Sequence, residues 1–197
     1  EVLYAVFVMP SIYAVGPAIA DTELGGSSAW AAIISGFGVG FLIGGLTAMR
    51  LRPHRPLVLS YLLCIPFAGF FLLLALAPAI WILVGGAIMA GAVISISGTL
   101  LETTITREVH QDLRSRVGSF RTLGSVAMLP VGMALVGPIT GWIGTTGAVL
   151  LGFVAVLVNV AVVLGTPSVR RLTATSPVEG AEPPAADPVA GPAETPA

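Results

Sequence analysis

Charged residues in this chain fall in a few short clusters, and the intervals between them are almost wholly apolar. Positions 2–20, 24–49, 56–101 and 122–169 carry no Asp, Glu, Lys or Arg. About 20 apolar residues in a helix cross the ~30 Å hydrocarbon layer of a bilayer. The first two intervals each hold one such helix. The last two are long enough for two each, and turn signals divide them at Ala77-Pro78 and between Gly141 and Gly147. The pattern predicts six spans, near 1–18, 28–49, 57–77, 80–105, 118–140 and 147–165. The expected class is an all-α integral membrane protein.

The fourth span departs from uniform oil. At about 100° per residue, Ser95, Thr99, Glu102 and Thr106 fall within an arc of roughly 60° on a helix that is otherwise apolar. A single stripe of hydroxyls with a carboxylate predicts a face turned toward protein or a wet cavity, because a charged group facing lipid is costly. Glu102 is the one clear acid within a span.

Composition agrees with the pattern. The 197 residues are 55% apolar and 10% charged, against roughly 25% charged in soluble domains, and the mean hydropathy is +0.96. The net charge of -1 conceals an asymmetry, since all nine basic residues are arginines. Arg50, Arg52 and Arg55 follow span two; Arg107, Arg114, Arg116 and Arg121 surround the connection after span four; Arg170 and Arg171 follow span six. The connections after spans one, three and five have no basic residue. By the positive-inside rule, the arginine connections and the C-terminus are expected in the cytoplasm and the chain in the cell inner (plasma) membrane as a multi-pass protein. Trp30, Trp81 and Trp142 stand at the opposite ends of their helices, where interfacial indoles belong.

Other features are local. Gly36, Gly40 and Gly44 follow one another at i+4 spacing in span two and predict a groove for close helix packing, widened by Gly38 and Gly45. Pro10 predicts a kink in span one. Span three, with Pro66 and no charge, reads as peripheral and lipid-facing. Cys64, the sole cysteine, reads as a packing residue, and Asn159 in span six as a helix-to-helix hydrogen bond. Residues 1–172 form the six-span domain. Residues 173–197, with six prolines, four acids and no base, read as a disordered cytoplasmic tail. The start at Glu1, without Met or a basic leader, reads as part of a longer protein.

Three stretches resemble the C-terminal half of a major facilitator superfamily transporter, in particular bacterial exporters of the enterobactin-exporter type. VGPAIADTELGGSSAWAAIISGFGVG (15–40) is similar to the passage from helix seven to eight of that group. GLTAMRLRPHR (45–55) stands where the family has G-x-x-x-D-R-x-G-R-R; Gly45 and Arg50 match, whereas Met49 replaces the Asp and Arg52 the second Gly. LLETTITREVHQDLRSRVGSF (100–120) is similar to the connection between helices ten and eleven, and GPITG (137–141) to the outer end of helix eleven. The resemblance implies half of a twelve-helix fold whose partner is the missing N-terminal six-helix half of the same protein. It also implies a small-molecule substrate held near the midplane. On that reading spans one, two, four and five face the cavity. Ser95, Thr99, Glu102 and Thr106 line a substrate or proton pathway, and Gly45, Arg50 and Arg121 belong to the gating connections, with Arg121 the expected partner of Glu102.

The expected function is secondary active transport: proton-driven antiport and efflux of small amphipathic molecules such as drugs or siderophores. The alternative is a six-helix structural or assembly subunit without transport. An intramembrane enzyme is not expected, because no histidine lies within a span and Cys64 has no base beside it in the sequence. ATP-driven transport is not expected either, since the chain has no lysine and hence no phosphate-binding P-loop. No cofactor, no metal and no nucleic acid are expected; the lipid bilayer is the surrounding partner.

Overall fold

The computed structural model describes residues 4–51, 53–77, 79–108 and 111–165, without the side chains of 105, 107–108, 111–117 and 120–125. Within these residues every regular element is a helix. The first span, Tyr4–Glu23, contains π-helical turns at Tyr4–Val8 and Ser11–Val15 and continues as helix α1, Gly16–Glu23. It is followed by α2 (Ser27–Ala48), α3 (Pro56–Leu76), α4 (Ile80–Glu108) and α5 (Gln111–Gly165). Five helices are long and apolar enough to cross a membrane.

Proline and glycine chemistry sets the boundaries. Pro10 has no N–H for the carbonyl of Val6, four residues back, and the wider π turns lie on both sides of it. The first span runs on to Glu23 rather than ending at 18, because Pro17 sits in the first turn of α1, where a missing N–H costs nothing. It stops at Gly25 and Gly26, whose φ values of 91° and 100° suit glycine. Ala77, at φ 40° and ψ 54°, ends α3 in the left-handed region.

Helix α5 is broken at Gly144, at φ 75° and ψ 171°, inside the turn expected between spans five and six. Before the break, Gly132 packs on Val6 and Pro10; after it, Ala148 and Gly152 meet Ser11. Both arms therefore flank the first span, and the chain folds back at Gly144. The 21 residues from 145 to 165 extend about 32 Å at 1.5 Å per residue, close to the hydrocarbon thickness.

Span three, read as peripheral and lipid-facing, turns one face into the core and leaves the other exposed. Phe67, Phe70, Phe71 and Leu74 of α3 are almost fully buried against α4, α5 and the first span. Phe37 of α2 joins them edge-on, with ring centroids 5.9 Å from Phe70 and 6.4 Å from Phe67. Only the other face of α3, with Leu62, Ile65 and Leu72, is exposed. The apolar residues of α3 give no periodic signal of which face turns inward; only Ser60 and Cys64, at i+4 spacing on the face of Phe67 and Phe71, mark it.

The tightest contact joins α2 to α4, which run parallel: Gly36 faces Val84, Gly40 faces Ile88, and Gly44 faces Ala92. The Cα atoms of Gly40 and Gly44 rest on the carbonyls of Ile88 and Ala92, and Gly91 rests in return on the carbonyl of Phe37. A methyl group at any of these three positions would run into backbone. Gly38 faces open space and does not widen the groove as expected; Gly45 makes only ordinary contact, a Cβ there standing 3.7 Å from Ser95 Oγ.

Candidate functional site

Helix α4 has two polar faces. The predicted stripe is the more open one: Ser95 is half-buried, and Thr99, Glu102 and Thr106 are exposed. Thr103, not singled out by the spacing, extends it on one side and Gly98 on the other, both exposed. The threonine hydroxyls donate to carbonyls one turn back: Thr99 to Ser95 at 2.9 Å, Thr103 to Thr99 at 2.7 Å and Thr106 to Glu102 at 2.8 Å. Each hydroxyl proton is thus held by the helix itself, while its lone pairs and methyl group face outward. That face therefore presents acceptors, methyl groups and one carboxylate.

The opposite face is closed, and sequence reading missed it. Ser97 and Thr104, turned about 180° from the stripe, are 7% and 8% exposed. Ser97 Oγ donates to the carbonyl of Ser60 at 2.9 Å, and Ser60 Oγ donates to the carbonyl of Ser97 at 3.1 Å. Cys64, one turn beyond Ser60, places its thiol 3.5 Å from the Ser60 carbonyl and 3.8 Å from Ser97 Oγ. These groups clasp α3 to α4 where hydrocarbon offers no other partner. The detectable signal was the pair Ser60 and Cys64 at i+4 spacing in an otherwise apolar helix.

Of the gating residues, Arg50 is exposed just beyond α2, its N–H donating to the Thr47 carbonyl at 3.0 Å. Gly45 lies beside Ser95 across the α2 to α4 contact. The structure therefore brings Gly45 and the head of the stripe together. The side chain of Arg121, the expected partner of Glu102, lies outside the described residues, as do those of Arg107, Arg114 and Arg116 and residues 166–197 with the expected tail. Among the described residues Asn159 makes no helix-to-helix hydrogen bond; it borders a small pocket with Tyr4 and Cys64.

Trp81 and Trp142 are 81% and 88% exposed, at the end of the bundle opposite Arg50 and Arg55, and Trp30 covers Gly16 in the first span. Among the described residues, no three His, Cys, Asp or Glu side chains gather as a metal site would require. Comparison of the chain with protein-family models, with curated proteins and with solved structures finds no match.

Proposed function

We propose that the chain is the C-terminal half of a secondary active transporter of the major facilitator type, its six spans being the first four helices and the two arms of α5. On this reading it works as a proton-driven exporter of small amphipathic molecules. Its arginine connections lie in the cytoplasm, and its absent N-terminal half closes the cavity opposite the α4 stripe. The observation that carries the reading is the exposure of Thr99, Glu102, Thr103 and Thr106 along one face of a helix whose other side is packed. An acid facing lipid costs about 2.5–3.5 kcal/mol at a helix centre on insertion scales and less toward the end of the span, where Glu102 lies. A wet cavity between two halves removes most of that cost and gives the stripe a task.

The reading is tested in the full-length protein lacking Cys64. A cysteine replacing Thr99 should react with a charged, membrane-impermeant methanethiosulfonate far faster than one replacing Leu72, which is exposed on α3. Equal, slow reaction at both positions would mean that the stripe faces lipid, and the proposal would fall.

A further inference from the structure

Tyr13 stands at the middle of the first span, which runs from Tyr4 to Glu23. Its side chain is 63% exposed and makes no hydrogen bond or ring contact with any described residue. Tyrosines of membrane helices gather at the interfaces, where the ring lies in oil and the hydroxyl in water. Tyr13 is about 14 Å from either end of its helix at 1.5 Å per residue, beyond the reach of its own hydroxyl. Turned to lipid, the phenol would stay unpaired, an arrangement that hydrocarbon penalises.

Its direction follows from its neighbours. Ser11 and Val15, two residues away on either side, are buried, and Ser11 meets Ala148 and Gly152 of the second arm of α5. Gly152 also meets Phe71 of α3, to which Ser60 holds Ser97 of α4. The second arm and α3 thus form one closed side of the bundle. Two residues along a helix are about half a turn, so Tyr13 points away from the second arm as Thr99, two residues after Ser97, points away from α3. Both lie on the open side. Val8 and Ile94 line one pocket, which sets Ser95, the head of the stripe, near the level of Val8. Tyr13 is about 7 Å further toward the end marked by Trp81.

We infer, resting on the reading of the chain as half of a transporter, that Tyr13 is a cargo-binding residue and that the cargo it selects carries an aromatic ring together with N–H donors. Two groups on the open side supply the two parts of that description. The phenol ring of Tyr13 takes the cargo's ring by offset stacking. The hydroxyl protons of Thr99, Thr103 and Thr106 already go to carbonyls of α4, so these residues accept hydrogen bonds from a visitor and donate none. They take the donor-bearing end.

Equilibrium binding of ethidium, a fused-ring molecule with amino donors, to the full-length protein in detergent tests it, read by fluorescence anisotropy. Tyr13→Leu removes the ring and should weaken binding about fivefold or more, whereas Tyr13→Phe keeps the ring and should lose no more than about twofold. Tyr13 is exposed, so both variants should melt like the wild type. Dodecylamine, which has the donors and no ring, should compete without preferring Tyr13→Phe to Tyr13→Leu. Ethidium binding in Tyr13→Leu at wild-type strength, equal losses in Tyr13→Phe and Tyr13→Leu, or no binding by the wild type would overturn the inference. Thiol labelling at Thr99 needs no cargo, so the transporter reading can survive that failure, and its own failure is read separately.

Discussion

Ser60 and Ser97 exchange hydrogen bonds across the α3 to α4 interface, each hydroxyl donating to the other residue's backbone carbonyl, at 3.1 and 2.9 Å. Neither hydroxyl bonds the other, so the two bonds are chemically separate. Ser60→Ala and Ser97→Ala should each lower stability by about 0.6 kcal/mol, the average for interhelical bonds in membranes, and by no more than about 1.7 kcal/mol, the largest measured. The double variant should lose nearly the sum. Unfolding in mixed micelles measures all three, and a large coupling term would mean that the hydroxyls act as one network.

The parallel seam between α2 and α4 makes a sharper distinction between glycines that look alike in sequence. Gly40 meets the Ile88 backbone and Gly38 meets nothing. Gly40→Leu should force the helices apart and cost at least about 1–3 kcal/mol, the usual range for overpacking. Gly38→Leu should change stability little. Thermal unfolding of the two variants side by side checks this, and equal losses would contradict the assigned seam.

Orientation rests on the arginine distribution. With Cys64 replaced by Ala, a cysteine at exposed Ser27 should react with an impermeant thiol reagent added outside intact cells. One at exposed His54, between Arg52 and Arg55, should not. The reverse pattern would turn the protein over.

Much of the fold was legible because burial in a bilayer is written in hydropathy. The first four spans fall close to the expected ranges, and the break at Gly144 lies inside the turn expected from 141 to 147. Thr99, Glu102 and Thr106 do share the open face of α4, with Ser95 half-buried at its head. Legibility ended where hydropathy is uniform. In α3 only Ser60 and Cys64 mark the side on which Phe67 and Phe71 turn inward, and two serines 37 residues apart do not announce that they will meet. The partner expected for Asn159 is not found among the described residues, since a polar residue in a span signals a need for partners without saying which element supplies them.

Transport itself is decided at Glu102. In the full-length protein reconstituted into liposomes with an imposed pH gradient, the wild type should exchange an amphipathic dye for protons. Glu102→Gln keeps the size and hydrogen bonding of the side chain and removes its titratable charge. The variant should insert and melt like the wild type yet lose about tenfold or more of gradient-driven exchange, a barrier change of at least ~1.4 kcal/mol, and Arg121→Gln should show a related defect. Exchange by Glu102→Gln at the wild-type rate and with the wild-type pH dependence would contradict the proposal and leave the residue as an interfacial anchor.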